Sequence, residues 1–393
     1  MSTRFFVPNL LLSRFTVFAV VMITLAGCNR ETPQIHYAAP DAGTPNNPPA
    51  ATAGVAYSYA DVVSKVAPAV VTIHSQIRVR APQQYPFGDD PFFRDFFGQR
   101  GIPIPPPQQN RVGLGSGVIV TNDGYILTNH HVVDGAEQIK VDLNDNRRLD
   151  ATVVGSDPPS DLAVLKVNAT GLPVLALGDS NRVRVGDVVL AIGNPLGIGQ
   201  TVTMGIISAK GRQTGLSNGS FEDFLQTDAP INQGNSGGAL VSTASELIGI
   251  NSQILSPSGG SIGIGFAIPS AMAQNVMDQL IRNGRVRRGQ LGISVQKVTS
   301  EIAANLGVKE GKGVLVAQVQ PDSAASQAGI KPGDIILSFN GTAVDDPNSF
   351  RNRVASTPPG TEVTLTILRD GREQQVRATL GEFTPQSPPR QTG

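Results

Sequence analysis

Tryptophan is absent from this chain, cysteine occurs once, and aromatic residues make up only 5% of its 393 residues. A lone cysteine excludes an intramolecular disulfide, so burial must hold the fold together. Charge of either sign is not in excess, because Lys+Arg and Asp+Glu both number 31. That balance removes any bulk attraction to nucleic acid, and no nucleic-acid partner is expected. The four histidines and the cysteine form no cluster at metal-ligand spacing, so neither a metal nor a cofactor is expected. A membrane-spanning run is missing as well. The apolar stretch at residues 15–27, FTVFAVVMITLAG, is preceded by Arg14, Ser13 and Pro8, and it falls short of the roughly 20 residues a bilayer requires.

A stretch of that length behind Arg4 and Arg14 suits the apolar core of an export signal. The residues LAGC at 25–28 resemble a bacterial lipobox. On that reading residues 1–28 are a lipoprotein-type signal peptide, and Cys28 is lipidated, leads the mature chain and anchors it to the membrane. The alternative is ordinary signal cleavage, which leaves the protein soluble in the periplasm. Residues 29–56 are rich in Pro, Ala and Asn without apolar periodicity, as a flexible tether is.

With 43 glycines and 29 prolines the remainder suits a turn-rich, mainly β protein. A short helix ended by Pro68 leads into a β-branched strand at Val70–Ile77. A proline-dense insertion follows, with five phenylalanines between Phe87 and Phe97. It is either a poorly ordered insertion or an aromatic loop that docks on a neighbouring subunit or the active site. From Leu114 to Ile268 short strands alternate with turn signals such as NDG and DPP, predicting an antiparallel barrel or sandwich. One helix is expected after Pro269, with Ser270 as N-cap, Ala273, Val276, Met277 and Leu280 inward, and Gly284 as C-terminal cap. The first folded unit is assigned to residues 57–285, a second to 288–383 and an unstructured tail to 384–393.

The stretch DAPINQGNSGGALV at 228–241 surrounds one hydroxyl, Ser236, with glycines. A serine is a weak nucleophile unless a base, a group orienting that base and donors for an oxyanion accompany it. His36 lies in the tether, and His74, within a strand, reads as structural. The pair His130–His131 in LTNHHVV sits where a strand ends. Asp161 opens the apolar strand Leu162–Val167, where a carboxylate needs a donor, either a histidine N–H or capping backbone amides. Asp157, beside two prolines, reads as an exposed turn residue. GLGSG at 113–117 is no nucleotide loop, because a strand follows it where a helix would be needed.

The order His131, Asp161, Ser236 is that of a chymotrypsin-type triad. TNHHVV, SDLAVLKV, GNSGGALV and GIGFAIPS together closely resemble the HtrA/Deg family of bacterial envelope proteases, over about residues 57–383. The resemblance implies a chymotrypsin-like double β-barrel with His131 as base, Asp161 as its orienting carboxylate and Ser236 as nucleophile. It places the oxyanion hole at the backbone N–H groups of Gly234 and Ser236. In the family pattern an asparagine stands at position 130, so His130 adds a second titratable ring beside the base. Pro230 occupies the seat where trypsin-like enzymes select Lys or Arg, which implies an uncharged specificity pocket lined from residues 250–268. Asn235 replaces the aspartate that pairs with a newly cut N-terminus, so activation by zymogen cleavage is not expected.

DSAASQAGIKPGDII, in the second module, resembles a PDZ domain, of α+β type. Its carboxylate-binding loop would be GQLGI, with Gln290, Leu291, Gly292 and Ile293, and the helix holding Phe350 and Val354 would form the facing wall. The implied protein is a serine endopeptidase acting on unfolded or damaged envelope proteins, with unfolded chains and peptides bearing free C-termini as partners. The resemblance also implies a homotrimer or larger assembly. Two alternatives stay open: a regulatory protease cutting one membrane signalling protein, and a chaperone or scaffold.

Overall fold

The computed structural model describes residues 58–78, 110–194, 199–215, 221–254, 260–306 and 311–384. The segment containing Cys28, the tether, the Phe-rich insertion and the tail from 385 onward lie outside the described residues.

Helix α1 (Ala60–Val66) ends where Pro68 enters a short 3-10 turn, since proline cannot continue the helical hydrogen-bond ladder. Strand β1 (Val70–Arg78) follows. Its alternation buries Val71, Ile73 and Ser75 and leaves Thr72 and His74 half-buried on the other side. His74 is structural here, its Nε2 lying 2.9 Å from Asp142 Oδ2. Arg148 also holds Asp142, through Nε at 2.5 Å and Nη2 at 2.6 Å.

β1 closes a six-stranded antiparallel barrel with β2 (Asn110–Ile119), β3 (Tyr125–Thr128), β4 (Ala136–Asp142), β5 (Arg148–Asp157) and β6 (Leu162–Val167), in the order β1-β2-β3-β6-β5-β4. Between β3 and β4 the chain makes one helical turn, α2 (His130–Val133). A second barrel joins β7 (Val188–Gly193), β8 (Thr201–Arg212), β9 (Phe224–Thr227), β10 (Ala239–Ser242), β11 (Leu247–Ile254) and β12 (Gly265–Pro269), in the order β10-β11-β12-β9-β8-β7. Closure leaves neither sheet with an open edge. One core cluster runs from barrel 1 into the contact between barrels, with Ile73, Ile126, Leu127, Leu165, Ile192 and Ile250. Another fills barrel 2 with Val189, Ala191, Ile207, Leu225, Leu240 and Ala267.

Helix α3 (Ser270–Asn283) turns Ala273, Val276, Met277 and Leu280 inward and ends at Gly284, φ 69°, as the spacing predicts. Its start differs from expectation. Pro269 is the N-cap and Ser270 is already helical, its hydroxyl donating to the Gly178 carbonyl at 2.6 Å. Leu280 packs against Gly155 of β5, where a Cβ would lie 2.9 Å from Leu280 Cδ2.

The C-terminal module opens with β13 (Gly289–Gln290), paired to β20 (Gly381–Glu382). Its main sheet runs β14-β15-β16-β18-β19, made of β14 (Ile293–Lys297), β15 (Val314–Val319), β16 (Ile335–Phe339), β18 (Glu362–Arg369) and β19 (Arg372–Thr379), with β17 (Thr342–Ala343) beside β16. Helices α4 (Ser300–Leu306), α5 (Ala324–Gln327) and α6 (Pro347–Ser356) complete it. Its core includes Val314, Ile336, Phe350, Val354, Leu365 and Ile367. Mainly β architecture with two closed barrels and an α+β appendage is the fold class expected from the sequence.

Candidate active site

The site forms where the two barrels meet. β3 ends at Thr128, Asn129 stays extended, and α2 begins with the histidine pair. Val132 anchors this turn against Gly115 of β2, where a Cβ would lie 2.6 Å from Val132 Cγ1. Gly115 of GLGSG thus makes room for α2, while Gly117 makes room for Ile126 and Ile73 of the barrel core. With Val132 and Val133 buried below it, His131 is held with only 7% of its surface exposed.

Asp161 arrives at the same end of barrel 1, because it opens β6, which runs antiparallel to β3 with Ala163 opposite Thr128. Pro158–Ser160 form a 3-10 turn capped by Asp157, whose carboxylate accepts from Ser160 N–H at 3.1 Å, and Asp161 follows in the left-handed region at φ 54°, ψ 40°. That conformation costs an ordinary residue about 1–3 kcal/mol. Hydrogen bonds offset the cost. The Asp161 carbonyl accepts from His130 N–H at 3.1 Å and from Asn129 Nδ2 at 2.9 Å. Its carboxylate accepts from His131 N–H at 3.1 Å and from Ser252 Oγ at 2.9 Å, and His131 Nδ1 lies 2.9 Å from both carboxylate oxygens. Burial would push the Asp161 carboxyl up, but the charge and hydrogen bonds of His131, with Ser252, outweigh it and hold the group below the usual carboxylate range. Facing an ionised carboxylate, Nδ1 carries the proton of a neutral ring and leaves Nε2 as the acceptor.

Ser236 is held by both barrels. Its hydroxyl donates to the Ser252 carbonyl at 2.9 Å, and its own carbonyl accepts from Ser116 N–H of β2 at 2.8 Å. Ser116 Oγ donates to the Gly234 carbonyl at 2.6 Å and accepts from Asn194 N–H at 2.9 Å. Ser252 therefore connects Asp161 and Ser236, one through its hydroxyl and the other through its carbonyl. The glycines after the serine are required by the backbones around them. Gly237 sits at φ 82°, and a Cβ there would come within 2.1 Å of the Ser116 carbonyl oxygen; one on Gly238 would come within 2.2 Å of the Ile192 carbonyl oxygen. The backbones of both barrels press on this loop.

Pro230 is exposed, and its carbonyl accepts from Thr203 Oγ1 at 2.8 Å. Ile231 beside it is buried in the barrel core. Residues 255–259 of the expected specificity wall lie outside the described residues.

In the second module Gln290 ends β13, Leu291 is buried, Gly292 turns at φ 75° and Ile293 starts β14. A side chain at 292 would meet Cβ of Ser323 at 2.3 Å. The carbonyls of Leu291 and Gly292 accept from Ala325 N–H at 2.9 Å and Gln320 N–H at 2.8 Å, which ties the loop to the start of α5. A pocket of about 320 Å³ adjoins it, bordered by Gln290, Gln320 and Ser323. Phe350 and Val354 of α6 are buried in the module's core, while Asn348 and Asn352 of the same helix reach across to the barrels, both donating through Nδ2 to the Glu222 carbonyl at 2.7 Å.

Sequence reasoning missed the residues that hold the site together. Ser116 was visible only as a strand residue, Ser252 only as part of the expected pocket wall, and Asn129 only as a neighbour of the histidines. Asp157 is corrected outright: it is not an exposed turn residue but 5% exposed, and Arg288 donates to it through Nη1 at 2.7 Å and Nη2 at 2.5 Å. The Arg288 guanidinium also lies 4.6 Å from the Phe221 ring, which packs edge-on against Phe383 at 5.3 Å.

Comparison with known proteins agrees with this geometry. Residues 115–250 match the trypsin-like peptidase domain and residues 289–380 match the PDZ domain. The periplasmic serine endoprotease DegP of Escherichia coli is 46% identical over 351 residues, covering 84% of this chain and 74% of the relative. The periplasmic pH-dependent serine endoprotease DegQ of the same organism is 46% identical over 332 residues, covering 84% and 71%. Among solved structures, the HtrA-type protease AlgW with a tripeptide superposes with a TM-score of 0.68 at 45% identity, covering 84% of this chain and 98% of that one. AlgW with a decapeptide gives 0.65 at 49% identity, covering 84% and 100%. With identity of this order across both modules, the chain belongs to the HtrA/Deg family of serine endoproteases, a trypsin-like peptidase domain followed by a PDZ domain.

Proposed function

We propose that Ser236 attacks the scissile carbonyl carbon of a peptide while His131 Nε2 takes its proton, and that Asp161 orients the ring and stabilises its charged form. The tetrahedral oxyanion is met by the N–H groups of Gly234 and Ser236, and each such donor is worth about 10²–10³ in rate. The C–N bond then breaks, the proton passes from His131 to the leaving amine, and an acyl-enzyme remains on Ser236 Oγ. Water repeats the sequence in reverse roles and frees the serine. The observation that carries this reading is the continuous hydrogen-bonded path from His131 through Asp161 and Ser252 to the Ser236 hydroxyl. Catalysis requires that hydroxyl to turn from the Ser252 carbonyl to His131 Nε2, which a bound substrate can favour.

Substrates on this reading are unfolded or damaged envelope proteins, which expose apolar residues and C-termini that folded proteins hide. The PDZ loop at Gln290, Leu291, Gly292 and Ile293 takes a terminal carboxylate on its N–H groups, with the peptide added as a strand. Residues 1–28 serve as signal peptide and Cys28 as lipid anchor. The tether 29–56, protease unit 57–285, PDZ unit 288–383 and tail 384–393 follow, in a homotrimer or larger assembly that serves the envelope stress response. The periplasmic setting named for DegP and DegQ supports that placement. A regulatory reading, cleavage of one membrane signalling protein upon PDZ occupancy, draws support from the Arg288–Asp157 pair, which ties the PDZ module to the turn ending in Asp161.

One assay separates the readings. The mature protein and its Ser236→Ala variant are incubated with unfolded casein, with and without hydrophobic C-terminal peptides. Cleavage of casein by the parent alone supports quality control. Cleavage by both defeats the nucleophile assignment, and peptide-dependent cleavage of a membrane client but not casein favours regulation.

A further inference from the structure

His130 is not needed by the hydrolytic scheme, yet it is built into the site. Its ring is only 13% exposed, and Nδ1 lies 2.5 Å from Ser156 Oγ on β5. Nε2 faces Asp134 Oδ1, at the end of the same helical turn, at 3.8 Å. The backbone N–H donates to the Asp161 carbonyl at 3.1 Å. His130 therefore joins α2, which carries His131, to the last residues of β5, which lead through the Asp157 turn to Asp161.

His130 and His131 both line one cavity of about 40 Å³, with room for only a few waters. Other charged groups reach it from two directions. Asp161 and its turn come from barrel 1, with Asp157 behind them neutralised by Arg288. Glu222 and Asp223 come from the segment before β9; the Asp223 carboxyl is pushed up to about 6, mainly by burial, with Asp346 adding to the shift and Lys210 and Arg353 opposing it. β11, β12 and α3 contribute only Ser252, Gln253, Ile268, Pro269 and Met272 to the lining.

Imidazole is the side chain whose ordinary titration falls between about pH 5 and 8. A proton on His130 keeps both ring contacts, because Nδ1–H can donate to Ser156 and Nε2–H can point to Asp134. It also places a cation beside the ring that must become cationic in the transition state. Asp134, about half exposed, screens that charge only in part.

We infer that His130 is a positioning and charge-tuning residue for peptide hydrolysis: its ring anchors the helical turn carrying His131, and its protonation slows the reaction by opposing the charge that His131 takes up. This rests on His131 being the general base. The acid side of the rate profile then descends in two steps, the first a drop of about three- to tenfold, the scale of repulsion between two neighbouring charges partly screened by water.

The test is kcat/KM for an uncharged fluorogenic peptide from pH 4.5 to 9, using the full mature chain. The parent, His130→Asn, His130→Lys and Asp223→Asn are compared, each profile scaled to its own alkaline plateau. The parent requires two ionisations with a shoulder between them. His130→Asn, whose amide can still bond Ser156 but does not titrate, requires one. His130→Lys shows no shoulder, and its unscaled rate at pH 8 lies about three- to tenfold below that of His130→Asn. Asp223→Asn keeps the shoulder. A parent profile fitted by one ionisation, a shoulder that survives in His130→Asn, or one that disappears in Asp223→Asn overturns the inference. Should the position-130 variants not fold, NMR titration of the imidazoles in Ser236→Ala decides: coupled titration of the two rings supports it and independent titration defeats it. Activity retained in His131→Ala would instead sink the general-base assignment beneath it.

Discussion

Arg288 and Asp157 form a buried, two-pronged ion pair between the first residues of the PDZ module and the turn that presents Asp161. Both side chains are more than nine-tenths buried, at 8% and 5% residual exposure. Removing one partner strands the other charge away from water. Arg288→Ala should therefore lower unfolding stability by about 3–5 kcal/mol, measured by urea denaturation. Replacing both residues with Met and Leu should recover much of the loss, because no charge is then left buried. A loss below 1 kcal/mol in the single variant would mean that water reaches the pair.

Asp161→Asn keeps the shape of the site but no longer forces the proton onto Nδ1 of His131. The expected result is a fall in kcat of about 10⁴ with KM little changed. Steady-state kinetics on a peptide substrate, with circular dichroism to verify folding, provide the measurement.

Ser252→Ala removes the hydroxyl that donates to Asp161 at 2.9 Å and leaves the carbonyl that accepts from Ser236. A hydrogen bond to a charged group is worth about 1.5–3 kcal/mol, and part of it bears on the orientation of His131 through Asp161. We expect kcat/KM to drop about tenfold, well short of the loss from Asp161→Asn. An equal loss in both variants would place the hydroxyl itself in the proton path.

Asp223 has its folded pKa raised to about 6 from 3.8, chiefly by burial. Its folded form holds the proton more tightly than the unfolded chain does, so its favourable contribution is complete below about pH 4 and is lost as pH rises through 6. Above that pH the ionised group is a burden. Asp223→Asn should gain on the order of 1–3 kcal/mol of stability over the parent at pH 8, and the difference should vanish near pH 4. Thermal or urea unfolding at the two pH values checks both halves. A gain that is equal at both would assign the effect to packing.

Local chemistry was enough to reveal the strand-rich order of the chain, the inward face of α3 with its Gly284 cap, and the three segments that carry His131, Asp161 and Ser236. These are contiguous patterns, and short-range sterics and periodicity act on contiguous residues. Where the reading failed, a distant partner was responsible. Ser270 looked like a helix cap until the Gly178 carbonyl took its hydroxyl. Asp157 looked like an exposed turn until Arg288, far along the chain, covered it.

From its residues alone this protein declares a succession of short strands, a resemblance to a PDZ-type appendage and three candidate side chains in order. Tertiary structure alone decided that Ser252 bridges Asp161 and Ser236, that Ser116 of one barrel holds the serine loop of the other, and that His130 shares a cavity with His131. A hydrogen bond acts over about 3 Å of space whatever the distance along the chain. No pattern in the order of residues records which strands barrel closure will bring face to face.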